Sequence, residues 1–310
     1  MSYVARRFIN APLLNYTLRR YHLYLRDIYT QCVLHSPPLQ SIIQLEKVEF
    51  IRGDHMSIIK NAIPILEFDT EQTAVINPTH ENLDLKLPKK CVFAFLGAHI
   101  DAYASQTDTK QVSIFVSATK HYPIYVTKYK GEEIALCQAP VGAAAATQLL
   151  DWLIGYGVRE IVSAGSCGAL EKFPESTFLV PSKALRDEGT SYHYAPPSRF
   201  MEISERARKA IAETILEHGM KYQEITTWST DGFFRETKEK VAYRKREGCS
   251  VVEMECSALA ACAALRDVTW GMILYTADSL ADVEKYDMRN WGGNAYEYAL
   301  TLCLDSVLKL

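Results

Sequence analysis

The sequence predicts a three-layer α/β/α domain on a mixed, mostly parallel twisted sheet, preceded by an N-terminal helical extension. Two observations carry this. From residue 90 onward, short apolar runs alternate with longer amphipathic or Ala-rich stretches, the pattern of strands and helices taking turns along the chain. Most of these runs are apolar at consecutive positions rather than at every second one, so both faces of the sheet must be covered. The chain has 310 residues, 48% of them hydrophobic and 23% charged. That is enough for one large α/β domain plus an extension.

The first 89 residues are the extension. Before Asp27 there are five arginines and no acidic residue, a bias that resembles an organellar transit peptide. Leu14, Leu18, Tyr21, Leu25, Ile28 and Cys32 nevertheless recur at helical spacing, which favours an amphipathic packing helix. A Pro37-Pro38 break and a mixed segment without recognisable chemistry follow. The catalytic-type domain is expected over 90–310. Its strands are read at CVFAFLG (91–97), EEIALCQA (132–139), REIVSAG (159–165), STFLVPS (176–182), EITTWST (224–230), SVVEM (250–254) and TWGMILYTAD (269–278). Helices are expected near 142–154, 203–219, 235–247, 255–266 and 294–309.

The net charge of −3 implies no general attraction to nucleic acid. Eight scattered cysteines without a C-x-x-C pair read as reduced thiols of a cytoplasmic protein, not as a disulfide framework or zinc site. No apolar stretch is long enough to span a bilayer. No metal is implied. A nicotinamide enzyme is disfavoured because no G-x-G-x-x-G follows a strand.

Ligands of such sheets bind beyond the carboxyl ends of the strands. Those ends collect Gly97 and Asp101, Gly165 and Ser166, Asp231 with Phe233-Phe234, Glu255, and Asp278. In VSAGSCGAL (162–170), Gly165 and Gly168 are expected to make a tight turn with free N–H groups, and Ser166 adds a hydroxyl. No Arg or Lys occurs between Arg159 and Lys172. Cys167 reads as a buried structural thiol, since no histidine partner is identifiable. One of Phe233 and Phe234 is expected in the core. His193 could be a loop residue or a substrate contact.

REIVSAGSCGAL, TTWSTDGFF, VVEMECSALA and ILYTADSL, in this order and spacing, resemble the nucleoside phosphorylase superfamily over residues 90–310. That group comprises purine nucleoside and uridine phosphorylases and the methylthioadenosine/adenosylhomocysteine nucleosidases. The resemblance implies cleavage of a nucleoside N-glycosidic bond without metal or organic cofactor, in a homo-oligomer (a dimer or trimer of dimers) whose neighbouring subunit completes the site. It implies that Glu255 binds the ribose diol, with Met254 under the sugar and Glu253, Cys167 and Gly168 nearby. Phe233 would stack on the base and Asp278 would protonate it. Gly97, Gly165 and Ser166 would hold the attacking phosphate or water, with Lys120 reaching in from a neighbour.

The departures bear on the attacker. Phosphorolytic members carry arginines where this chain has Asp101 and Ser163. Nucleosidases carry an acid at the first place and an uncharged residue at the second, as here. The arginine of some nucleosidases four residues before the catalytic Asp is Leu274. The loop RDEGTSYHYAP is more similar to uridine phosphorylases, yet their uracil-reading Gln and Arg correspond to Thr237 and Glu239. Cleavage of a purine nucleoside is therefore expected, with water or inorganic phosphate as co-substrate. A uridine phosphorylase and a catalytically silent nucleoside-binding protein are the alternatives.

Overall fold

The computed structural model describes residues 58–310; the expected amphipathic helix at 14–32 lies outside them. The domain elements form where the apolar pattern places them. Strand β1 (Lys90–Ala94) leads through α1 (His99–Gln106) to a meander of β2 (Thr109–Val116), β3 (His121–Tyr129) and β4 (Glu132–Gln138). Helix α2 (Ala143–Gly155) then returns the chain to β5 (Glu160–Ala169). After β6 (Phe178–Asp187), α3 (Ser191–Tyr194) and β7 (Phe200–Glu202) come α4 (Glu205–Glu217) and β8 (Gln223–Thr230). Helix α5 (Lys238–Arg246), β9 (Cys249–Glu253), α6 (Cys256–Leu265), β10 (Thr269–Ser279) and α7 (Tyr296–Leu308) complete the order.

The strands form one mixed ten-stranded sheet, and its longest ladders, β5–β10 and β6–β8, are parallel. Strand β10 pairs with both β5 and β6. Strands β5, β10, β6, β8 and β9 therefore close into a ring, while β1, β4, β3 and β2 extend from it as an open wing. Helices cover both faces. One apolar layer contains Leu149, Leu150 and Leu153 of α2 with Leu259 and Cys262 of α6. The opposite layer contains Ile211 and Ile215 of α4 with Leu302, Cys303 and Val307 of α7. The three-layer expectation is met.

Local chemistry sets the helix ends. Ser204 caps α4 by accepting from Ala207 N, and Thr237 caps α5 by accepting from Lys240 N. Helix α6, CSALAACAAL, is buried from Cys256 through Ala263. With no polar side to show to water, it is enclosed. Bidentate Arg266–Asp151 contacts of 2.7 and 2.9 Å tie its C-terminal end to α2, and Arg266 also donates to Gln72 O. The segment before β1 is anchored further by Trp152 Nε1 donating to Glu81. The seven cysteines in the described residues are all free and buried.

Two features depart from the sequence reading. Strands β2, β3 and β7 and helices α1 and α3 were not anticipated. Strand β2 is a sheet edge, its outer positions largely exposed, so no strong apolar run marks it. The stretch at Gly165–Gly168 is not a turn. Strand β5 runs straight through it, paired with β10 from Glu160 to Cys167, and neither glycine has a positive φ. These glycines answer to crowding instead. A Cβ on Gly168 would lie 2.9 Å from Leu280 Cδ1 and 3.3 Å from Asp278 Oδ1, and one on Gly165 would lie 3.2 Å from Met272 Cε. Removing the side chain lets β5 approach the neighbouring strand and the Asp278 carboxyl.

Candidate active site

The candidate site is built around β5 where it changes partners. Strand β1 pairs with β5 only as far as Val162, and β9 joins at Gly168. Between them β5 is held by β10, and Ser166 is its one exposed residue. An opening in the ladder thus exposes the Ser166 hydroxyl. Gly97, with φ of 57°, turns the chain from the end of β1 towards α1. Ser163 is fully buried and accepts a hydrogen bond from Trp270 Nε1 at 3.0 Å. The place where a cation was sought is occupied by a neutral, internally satisfied pair.

Glu255 stands at the start of α6 and is only 6% exposed. Its Oε1 accepts from Gly142 N at 2.6 Å, at the N-terminus of α2. Gly142 has φ of 99°, a backbone that favours glycine and presents this N–H. Burial and the neighbouring Glu253 push the Glu255 carboxyl up to about 8, against the backbone donors that pull it down. Hydroxyl donors from a bound diol would stabilise its ionised form further.

Glu253 has a different environment. Its Oε1 accepts from Thr227 Oγ1 at 3.1 Å and Ser229 Oγ at 2.5 Å. Its Oε2 accepts from the N–H groups of Glu255 and Cys256 at 2.7 and 2.6 Å. Four donors occupy the carboxylate, so Glu253 staples β8 to the start of α6 and orients Glu255. Met254 between the two acids is partly exposed. Ser257 Oγ donates to Glu188 at 2.8 Å, and Glu188 accepts from Ser191 N, which draws the 188–191 loop to the same place. Asp231 accepts from Gly189 N at 2.8 Å.

Asp278 lies near the end of β10 and is 5% exposed. Burial raises its carboxyl above the usual carboxylate range, while a hydrogen bond from Tyr286 and the Arg289 charge pull it down. Cys167, opposite on β5, packs in the core and its thiol is directed at Tyr275 O. Burial pushes that thiol well above its ordinary value, so it stays a neutral thiol and not a nucleophilic thiolate. Phe233 is 41% and Phe234 is 92% exposed, their rings edge to face at 5.0 Å. The expectation of one core phenylalanine fails because the chain turns out of the sheet at Asp231-Gly232, into a short 3-10 turn at Phe233–Arg235.

Asp101 is exposed in the first turn of α1 and accepts from Tyr125 OH at 3.0 Å. Lys120 lies between β2 and β3, its ammonium 5.1 Å from the Tyr122 ring. His193 is exposed on the rim of a cleft of about 630 Å³ that includes Ala144, Gln148, Thr190, Gln72 and Asn77. Gly142 was not singled out from sequence. Gly142 could have been, because a glycine before an Ala run signals a helix start.

The sequence profile of the phosphorylase superfamily matches residues 89–304. The chain belongs to the phosphorylase superfamily. It is thus an enzyme of the pentosyltransferase or nucleosidase kind. It is 23% identical over 175 residues to a guanosine phosphorylase of Halorubrum lacusprofundi, covering 56% of this chain and 71% of that protein. The fold is similar to a uridine phosphorylase from Vibrio fischeri, with a TM-score of 0.63 and 21% identity over 73% of this chain and 95% of the other. It is also similar to the 5′-methylthioadenosine/S-adenosyl homocysteine nucleosidase of Campylobacter jejuni, with a TM-score of 0.60 and 18% identity over 72% and 99% of the two chains. The expected common rim of strand ends is not what joins the two acids: β9, which leads to Glu255, runs antiparallel to β5, whereas β10, which carries Asp278, runs parallel to it. Among the described residues no helix is long and apolar enough to cross a membrane.

Proposed function

We propose that this phosphorylase-superfamily enzyme cleaves the N-glycosidic bond of a purine nucleoside, with Glu255 on the ribose diol and Asp278 at the base. The observation that carries this reading is the pair of buried carboxyls of Glu255, which follows β9, and Asp278, near the end of β10, two strands that both pair with β5, the strand of the exposed Ser166. A carboxylate can accept from both hydroxyls of a vicinal diol. A carboxyl raised by burial can protonate a purine ring nitrogen as the bond breaks. Phe233 is exposed and free to stack on the base. A neighbouring subunit would complete the site, with Lys120 as its cationic contribution. The same two carboxyls speak against a silent binding protein.

Losing the charge-assisted contact to the diol costs about 1.5–3 kcal/mol. Glu255→Gln is therefore expected to lower kcat/KM by roughly 10–100-fold. Steady-state kinetics on ribonucleosides check this, and unchanged kinetics would refute the assignment.

Water is the proposed attacker. A transition state with positive charge on C1′ does not need a strong nucleophile. A phosphate carries nearly two charges and is costly to desolvate without a cation. The arginine places are taken by Asp101 and by the neutral Ser163–Trp270 pair. With its carboxylate turned inward, Asp101 would repel phosphate: two like charges about 4 Å apart, at an effective dielectric of about 20, cost roughly 4 kcal/mol. In phosphate-free buffer, guanosine, inosine or adenosine should yield free ribose at full rate, and Asp101→Asn should abolish it. A strict requirement for phosphate, with ribose 1-phosphate as product, would replace water by phosphate and make Lys120 the next residue to mutate.

A further inference from the structure

The stretch RDEGTSYHYAP (residues 186–196), at the end of β6 and beyond, carries two buried charged groups that play no part in the proposed cleavage: Arg186 and Glu188, each 5% exposed. Arg186 closes the loop on itself. Its guanidinium donates to Ser191 Oγ at 2.8 Å, to Pro196 O at 2.7 Å, to Ser198 Oγ at 2.8 Å and to Ala195 O at 3.2 Å. The same group lies 4.1 Å from the centre of the Tyr192 ring. A planar guanidinium with its donors engaged on four residues of one loop holds that loop in one shape. The loop is therefore rigid, and whatever it grips is held against a fixed frame.

Two consecutive residues of this loop grip two different parts of the candidate site. Glu188 Oε2 accepts from Ser191 N at 2.9 Å inside the loop, and its Oε1 accepts from Ser257 Oγ at 2.8 Å in the first turn of α6. Gly189 N donates to Asp231 Oδ2 at 2.8 Å, in the turn that leads to Phe233. On its other side the start of α6 is held from β8 and β9: Ser257 N donates to Ser229 Oγ at 3.0 Å, and the N–H groups of Glu255 and Cys256 donate to Glu253. We propose that Glu188 is a positioning residue, and that its loop is a brace which fixes the sugar acid Glu255 relative to the turn bearing Phe233. The proposal rests on the reading that Glu255 holds the ribose diol.

A carboxylate suits this role because its two oxygens can accept from two elements at once. Ser257 is fully buried, so water does not replace Glu188 as the partner of its hydroxyl. Glu188 touches no substrate and acts through α6. Glu255 Oε1 is tied to Gly142 N at 2.6 Å, so a shift in the start of α6 loosens that bond and the diol contact together. Contacts of this kind depend on placement to within a fraction of an ångström.

Ser257→Ala cuts the link between loop and helix with the least disturbance, and it is the variant to test. On whichever of guanosine, inosine and adenosine the wild type cleaves best, its kcat/KM should fall about tenfold. The inhibition constant of the matching 2′,3′-dideoxynucleoside, which offers Glu255 no hydroxyl, should stay within about twofold. Added to Glu255→Gln, Ser257→Ala should cost no more than about a further twofold, because both changes strike the same contact. Glu188→Gln is the conservative rescue: its amide can turn the oxygen to Ser191 N and the NH₂ to Ser257 Oγ, so it should lose less than Ser257→Ala. Equal losses on both ligands, or full additivity in the double variant, would make the role merely structural and overturn the brace; so would wild-type kcat/KM in Ser257→Ala. Amide hydrogen exchange gives a readout without turnover. The Gly142 N–H should exchange at least about tenfold faster in Ser257→Ala, while amides of the β1–β4 ladder keep their rates. Unchanged Gly142 exchange overturns the brace. If no nucleoside is cleaved at all, the function reading fails, and the Gly142 exchange rate still decides the brace.

Discussion

Asp278→Asn is expected to slow cleavage of purine nucleosides by roughly 10²–10⁴-fold. When the glycosidic bond breaks, the base departs as an anion unless a proton arrives. Asparagine keeps the size and one acceptor of the side chain but has no acidic proton. The effect should sit in kcat, since the proton is needed only as the bond breaks. A substrate whose leaving group needs no proton separates chemistry from damage. On 4-nitrophenyl β-D-riboside the variant should stay within about tenfold of the wild type. A loss of equal size on both substrates would mean that Asp278 maintains structure, and full activity on purine nucleosides, with uridine as the preferred substrate, would remove it from the acid role altogether.

Glu253→Ala is expected to be the most destabilising single change in the site. It leaves the hydroxyls of Thr227 and Ser229 and the N–H groups of Glu255 and Cys256 without their acceptor, in a place closed to water. Each unmet buried donor costs about 1–3 kcal/mol, and the hydroxyls can rotate to other partners. The two N–H groups alone therefore imply a loss of roughly 2–6 kcal/mol. At about 2–4 °C per kcal/mol for a domain of this size, the melting temperature should fall by about 5 °C or more. Glu253→Gln keeps one acceptor and turns an amide NH₂ towards existing donors, so an intermediate loss is expected. Thermal unfolding checks both. Should Glu253→Gln keep its melting temperature while kcat/KM collapses, Glu253 would touch the sugar directly and the staple role would be wrong.

The VEMEC stretch illustrates how much was readable in advance. Its acids, and the Asp at the end of an apolar strand, could be placed at strand ends because an uninterrupted apolar run must be a covered strand and a polar residue after it must emerge at the rim. The alternation of runs and helices likewise led to the layers and to five helices within three residues of their observed ends, while the superfamily followed from the resemblance of four motifs. The two acids of VEMEC could not be told apart, because a one-dimensional pattern does not record which carboxylate oxygens are already occupied. Thr227 and Ser229 reach Glu253 from another strand, 26 and 24 residues away.

The glycines of VSAGSCGAL mark the limit of local inference. Glycine is equally at home in a turn and in a strand that something else must approach closely. Locally a turn was the natural reading; the side chains that decide otherwise, Met272, Leu280 and Val252, lie on other strands and a following loop. By itself, then, the sequence determined the layers, the superfamily and the two acids that follow or close apolar strands. Their pairing, burial and proton affinity were decided only by the tertiary structure, because those properties depend on groups that folding alone brings within hydrogen-bonding and Coulombic range.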